Sequence, residues 1–418
     1  MQVTFLGGAR EVGRIGILVK SAKTQVIIDY GVMLDNEPGF PMHVPPKDID
    51  ALILTHSHLD HSGALPIFYI NDKKTLYTNK LNLELSQLLI QDFIHLSSYY
   101  LPFEYLELKT MARSNRHLEF GQTEQLGDMK ITLHNAGHTP GSAQVLIEAD
   151  GKRFLYTGDF NTEESKLLAG ASMDYGDLDC IVTESTYANA DHTERGELER
   201  QFVDSCNAVV EIGGTVLVPS FGVGRAQEMA CILAANHFEH PIVLDGMARE
   251  ASRIIMNYRE FLKDPKLFMN AMHSCEWIEG WRDRRKALKT PGVIISTAGM
   301  LKGGPAAFYM SKLGKKAINA VYLVSYQIPG TPGRELMEKG VCTIDGKVRK
   351  IKAAYRHFDF SSHCGASQLK EALIKLGGKP KVYVVHGAEG NCELFANWAR
   401  SELGLDAIAP RTGDTFQI

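Results

Sequence analysis

The sequence predicts an α/β protein of two parts, one built from strands that end in polar side chains and one from a parallel sheet with crossover helices. Its 418 residues exceed what one ordinary compact core holds and suit two. Short β-segments run from the N-terminus to Glu184 and return near the C-terminus, whereas strands and helices alternate in the stretch between.

In order along the chain, Val3–Leu6, Ile15–Val19, Val26–Asp29 and Ala51–Thr55 read as strands. The run ALILTH is apolar until its end, as expected of a strand buried on both faces. Gly63–Ile70 and Leu81–Leu96 read as helices, the second from apolar residues at three-to-four spacing. Ile131–Asn135, Gln144–Ala149, Phe154–Thr157 and Cys180–Glu184 follow as strands, each closed by polar or charged residues, which places a site at one edge of a sheet. Glu197–Ile212 then reads as a helix, TVLVP as a strand, Ala226–Asn236 as a helix and PIVLD as a strand, continued by GVIISTAGM and VYLVS. That alternation implies a parallel sheet with crossover helices. HFDFSSHCG, the helix Ala366–Leu376 and KVYVVHG return to short strands with polar ends.

Composition narrows the class. Hydrophobic residues make up 44% and charged residues 22%, ordinary for a soluble globular chain. No apolar run approaches the roughly 20 residues of a membrane-spanning helix, and MQVTFLGG has neither the basic head nor the apolar core of an export signal. The seven cysteines include no C-x-x-C pair, which speaks against a disulfide framework or a cysteine-ligated zinc ribbon and for a reducing, cytoplasmic setting. With a formal net charge of −4, attraction of a polyanion must come from a local basic surface or from metals.

Chemistry concentrates in THSHLDH. His56 and His58 stand at i and i+2 just after a strand, on one side of the chain, and Asp60 and His61 follow in the turn. Nitrogen and carboxylate oxygen together suit Zn²⁺, with Mn²⁺ or iron as alternatives. One histidine here would be an ordinary structural residue; three with an aspartate in six positions form a ligand cluster. Further donors wait at other strand ends: His138 in NAGHTPGS, Asp159 closing FLYTGDF, where a carboxylate can bridge two metals, and His386 closing KVYVVHG. Asp29, closing VIIDYG, suits an acceptor that orients a liganding histidine. SFGVGR offers backbone N–H groups and Arg225 at a helix start, a seat for phosphate, and GMLKGGPA offers Gly303 and Gly304, where a backbone can approach closely. The basic run WRDRRK reads as a solvated helix face.

THSHLDH, GHTPGS and YTGDF, with Asp29 upstream, resemble the metallo-β-lactamase superfamily, which implies an αββα sandwich with a dinuclear site between the sheet edges. VTESTY, PSFGVGRAQE, STAGMLKGGPA, DFSSHCG and VVHG are similar to its β-CASP branch of nucleic-acid hydrolases, and the resemblance covers nearly the whole chain. It implies a metallo-β-lactamase domain in two pieces, residues 1–188 and 349–418, around a β-CASP insert, residues 189–348, with a parallel α/β sheet. Within the branch the likeness is greatest to the short archaeal and bacterial relatives of the cleavage and polyadenylation endonuclease, which lack the KH-type domains of the longer archaeal members, and lower to ribonuclease J.

Carried over position by position, the resemblance implies a first metal on His56, His58 and His138, a second on Asp60, His61 and His386, and Asp159 bridging them. It makes His363 the general acid and Glu184 its acidic partner, with Asp60 also in the catalytic group, and puts Ser361 and Ser362 among the substrate contacts. Histidine at 386 points to RNA, since the DNA-repair members typically carry valine there. The chain departs from the branch at Ser57, Cys364, Gly365 and Ala388, none of them a metal ligand.

The implied function is therefore a ribonuclease with two Zn²⁺ (or Mn²⁺), acting on single-stranded RNA inside the chain, from its 5′ end, or both. The resemblance also implies a homodimer and membership of a larger RNA-processing assembly, with no membrane partner. The alternatives are a small-molecule thioester or lactone hydrolase of the superfamily, which has no need of the insert or of the Glu184 and His363 pair, and a DNA nuclease of the branch.

Overall fold

The computed structural model of the chain describes residues 1–34, 37–344 and 346–418. They divide into two compact units. The first comprises Met1–Glu164, Gly170–Asp191 and Ser362–Ile418; the second comprises Ser165–Ala169 and His192–Ser361.

The first unit holds two seven-stranded mixed sheets. In one, the order is Thr415–Gln417, Gln2–Gly7, Gly16–Lys20, Gln25–Tyr30, Ala51–Ile53, Thr75–Thr78, Asn115–His117. In the other it is Ala407–Ile408, Lys381–Val385, Cys180–Glu184, Lys152–Tyr156, Ala143–Ala149, Met129–Asn135, Thr123–Leu126. Side chains alternate across each strand, and the alternation sorts the core into layers. Val26 and Ile28 pack with Ile131, Val145, Phe154, Val182 and Tyr383 in the layer between the sheets. Ile27, Leu52 and Leu76 face the other way, onto Leu83, Ile90, Phe93 and Leu108 of the helices Lys80–Leu96 and Tyr105–Arg113. Leu155, Ile181 and Val382 face Leu369, Leu373, Phe395 and Ala399 of the helices Ala366–Ile374 and Glu389–Leu403. The result is a four-layered αββα sandwich.

The second unit carries a six-stranded sheet in the order Cys275–Trp277, Ile242–Asp245, Gly292–Ser296, Thr215–Pro219, Ala320–Leu323, Ala354–His357. Every pairing in it is parallel, as the strand–helix alternation predicts. The strands Thr215–Pro219, Gly292–Ser296 and Ala320–Leu323 are buried and mostly apolar because both faces are covered, whereas the edge strand Ala354–His357 is exposed. All seven cysteines are free and buried, and no helix among the described residues is long and apolar enough to cross a membrane.

The basic run WRDRRK forms the helix Trp281–Ala287, where Trp281, Arg282, Arg285 and Lys286 are exposed as expected and Arg284 is the exception. Arg284 turns inward, where its Nε and Nη2 donate to buried Asp245 at 2.7 and 3.1 Å, and the Tyr309 hydroxyl donates to the same carboxylate at 2.9 Å. Removing one partner of such a pair leaves the other charge uncompensated. Asp245→Ala is expected to destabilise the protein by about 3–5 kcal/mol in urea denaturation, whereas substitution of the exposed Arg285 leaves the midpoint unchanged.

Candidate metal centre and acid pair

Three neighbouring parallel strands of the second sheet deliver one half of the site. Lys152–Tyr156, Cys180–Glu184 and Lys381–Val385 run side by side, so Asp159, Glu184 and His386 all leave the sheet at the same end. The other half comes from the first sheet, where Ala51–Ile53 runs parallel between Gln25–Tyr30 and Thr75–Thr78 and leads into Thr55, His56, His58, Asp60 and His61. His138 sits in the turn joining Met129–Asn135 to Ala143–Ala149, and that turn is tied to the motif by Ala143 N–H donating to the Thr55 carbonyl at 2.9 Å.

These residues meet as two donor sets. His56, His58, His138 and Asp159 each present a ligand atom within 4.8 Å of the others, and Asp60, His61 and His386 do the same. Asp159 faces both sets. Its Oδ2 lies 3.6, 3.4 and 3.7 Å from Nε2 of His56, His61 and His138, and its Oδ1 lies 3.2 Å from Nδ1 of His386. The backbone is shaped for this convergence. Asp29 and His386 hold φ of +57° and +47°, and Gly31 passes so close to the motif turn that a Cβ there would lie 1.6 Å from the Asp60 carbonyl oxygen.

The donor set fits divalent metal on two grounds. Among the described residues, Nε2 of His56 and of His61 are buried without a hydrogen-bond partner, although an unsatisfied buried polar atom costs about 1–3 kcal/mol. Electrostatics agree. Burial, helped by neighbouring imidazoles, holds His56 and His138 well below the ordinary histidine range, so both are neutral, the form that binds zinc. His61 goes the other way: burial lowers its pKa, but Asp159 and Asp29 outweigh it and hold a proton that a cation would replace. Burial would also raise Asp60, yet the hydrogen bond with His386 and the charge of His61 depress it, leaving a carboxylate.

Orienting groups surround the donors. Asp29 Oδ2 accepts from His61 Nδ1 at 2.8 Å, which aims Nε2 inward, and Oδ1 accepts from Thr55 N–H at 2.8 Å. His138 Nδ1–H donates to the Ser362 carbonyl at 2.9 Å, so Ser362 reaches the site through its main chain.

Beside the donors stands a second device. His363 Nδ1 lies 2.9 and 2.8 Å from the two oxygens of Glu184, whose side chain is 1% exposed. Burial would lower the His363 pKa, but the Glu184 and Asp159 carboxylates outweigh it and bring it to about 9. Glu184 is held in turn by Phe160 N–H at 2.9 Å and by the Thr186 hydroxyl at 2.5 Å. The His363 ring centroid is 4.5 Å from that of His138, so the pair adjoins the metal donors.

The remaining expected substrate contacts divide between the units. Arg225 opens the helix Arg225–Ala235 behind Gly224, and Gly303 and Gly304 open the helix Gly304–Leu313; both helices follow adjacent strands of the second unit's sheet. Ser361 belongs to that unit and Ser362 to the first. Gly365 precedes the helix Ala366–Ile374 and its N–H donates to Gln368, while Ala388 precedes Glu389–Leu403, so these two positions lie at helix starts. Thr55 and Thr186 were not evident as site residues from spacing. The one available signal is that each is a hydroxyl residue inside a ligand-bearing motif, THSHLDH and ESTY.

Comparison with known proteins agrees with this geometry. Profiles of the metallo-beta-lactamase superfamily, the Beta-Casp domain and the Zn-dependent metallo-hydrolase RNA specificity domain match residues 16–219, 226–336 and 348–410. The chain is 39% identical to RNase aCSPSF2 of Saccharolobus solfataricus over 99% of its own length and 85% of that protein. It is 34% identical to Probable RNase MJ4 of Methanocaldococcus jannaschii over the full length of both. Among solved structures, a protein of unknown function from Enterococcus faecalis superposes with a TM-score of 0.64 at 13% identity over 99% of each chain, a likeness of fold.

Proposed function

The chain belongs to the metallo-beta-lactamase superfamily, in the branch that carries a Beta-Casp domain, and from that premise we propose that it is a zinc-dependent ribonuclease hydrolysing phosphodiester bonds of single-stranded RNA. The observation that carries this is the pairing, in one unit, of a donor set for two cations with the buried Glu184–His363 couple beside it. The ribonuclease names of the relatives and the RNA specificity domain matched at 348–410 support RNA as the substrate.

Metal ions held by the two sets would supply Lewis acidity, making water nucleophilic near neutral pH and neutralising charge on a phosphate. The protein's own groups do the rest. Glu184 accepts from His363 Nδ1, which leaves Nε2–H as the proton given to the departing 3′-oxygen and sets the imidazole's orientation. The products are a 5′-phosphate and a 3′-hydroxyl. Arg225, Gly303, Gly304, Ser361 and Ser362 are the RNA contacts of this reading, with Arg225 and the glycines at helix starts where backbone N–H groups suit phosphate. The reading includes two zinc ions per chain, with manganese as the alternative, an inserted domain over 189–348, a homodimer, and a cytoplasmic setting.

A substrate panel tests it. Purified protein with zinc is expected to cut end-labelled single-stranded RNA, to leave single-stranded DNA and a thioester untouched, and to lose activity to a chelator until zinc is restored. Thioester hydrolysis without RNA cleavage would replace this reading with the small-molecule one. Glu184→Gln removes the anion that holds the His363 proton. A lower His363 pKa deprotonates the acid earlier as pH rises, so the alkaline limb of the kcat profile is expected to move down by about one unit or more. An unmoved limb counts against His363 as the group titrating there.

A further inference from the structure

The hydroxyl of Thr186 stands between the two halves of the site. Its Oγ1 lies 2.5 Å from Glu184 Oε2, 3.2 Å from His386 Nδ1 and 3.1 Å from the His386 carbonyl oxygen. A hydroxyl has one proton to give. The shortest contact, to a charged acceptor, takes it, which leaves the oxygen's lone pair to accept from His386 Nδ1–H. That nitrogen also lies 3.2 Å from Asp159 Oδ1, the oxygen that faces it from the bridging position, with no hydrogen bond between them. With Nδ1–H held on this side, Nε2 is the atom left to face a cation; it meets Asp60 Oδ2 at 3.3 Å, and a cation between the two would replace the proton of that hydrogen bond. The same arrangement recurs across the site. Thr55 Oγ1 donates to Asp29 Oδ2 at 2.7 Å and meets His56 Nδ1 at 3.1 Å, and His56 Nε2 is left bare.

We propose that Thr186 is a positioning residue: by donating to Glu184 and accepting from His386 Nδ1–H it fixes the tautomer of a metal-facing histidine and ties the acid pair to the metal half of the site. Thr55 does the corresponding work between Asp29 and His56. This rests on the reading of the cluster as a metal centre and is independent of the substrate. The register of Cys180–Glu184 against Lys381–Val385, with Glu184 opposite Val385, is what sets Thr186 beside His386.

The test is zinc affinity, measured without RNA by competition with a chromophoric chelator on the metal-stripped full chain. Thr186→Val keeps the side chain's shape and removes the hydroxyl. It is expected to weaken the lower-affinity zinc equivalent by about 10–100-fold, and Thr186→Ser, which restores the hydroxyl alone, to return it to within about threefold of the wild type. Wild-type affinity in Thr186→Val overturns the proposal, as does a serine variant as weak as the valine one, which would show that the hydroxyl by itself does not hold the site. If the valine variant does not fold, Thr186→Ala takes its place against the same serine control. A wild-type chain that binds zinc yet cuts no RNA would sink the ribonuclease reading alone. One that binds no zinc would sink both.

Discussion

His363→Ala is expected to lower kcat for RNA cleavage by about 10²–10⁴-fold while both zinc ions stay bound, because only the proton donor is lost. The geometry separates the two roles. His363 lies outside both donor sets, and its Nδ1 is committed to Glu184. Glu184 keeps the Phe160 N–H and the Thr186 hydroxyl when the imidazole is removed, so the buried carboxylate is not stranded. KM for RNA should change little, since a group that acts in the transition state shows in kcat. A substrate whose leaving group needs no proton, such as a nitrophenyl phosphodiester, should be cut by the variant nearly as fast as by the wild type. A variant stripped of metal, or one fully active on RNA, would take the acid role away from His363.

The second large effect is expected at Asp159. Its carboxylate faces both donor sets, at 3.2–3.7 Å from four histidines. Burial would raise its pKa, but His386 and His61 overcome that and keep it ionised. Asp159→Asn retains the shape and removes the charge. RNA cleavage is expected to fall by roughly three orders of magnitude or more, as the Lewis-acid contribution collapses, and zinc content to fall with it. A buried charge that loses its partner is costly, so the metal-free variant should also differ in stability from the metal-free wild type. Full zinc content with full activity would show that Asp159 is a structural acceptor only.

Much of this site is legible before any coordinates because its candidate metal ligands obey a local rule. Each of His56, His138, Asp159 and His386 follows a strand and precedes a turn, and strand ends are readable from an apolar run that stops at a polar residue. Asp29 shows the same placement, and it does reach His61. Thr186 is not legible in that way, because its role depends on which strand lies beside Cys180–Glu184, a pairing with residues some two hundred positions away. Arg284 misleads for a related reason: a basic run on a short helix reads as solvated unless the buried Asp245 opposite is known. The C-terminal helix Glu389–Leu403 hides in plain sight. Its buried positions Cys392, Phe395, Ala396 and Ala399 have helical spacing, but small side chains make a faint stripe.

The most direct measurement is a zinc titration of the metal-free chain in which bound metal and cleavage of a labelled single-stranded RNA are followed in the same samples. Cleavage is expected to rise with added zinc and to level off at two equivalents per chain, with His363→Ala binding the same two equivalents in silence. RNA cut at full rate before any zinc is bound, or RNA left intact after two equivalents, would contradict a metal-dependent ribonuclease centred on His56, His58, Asp60 and His61.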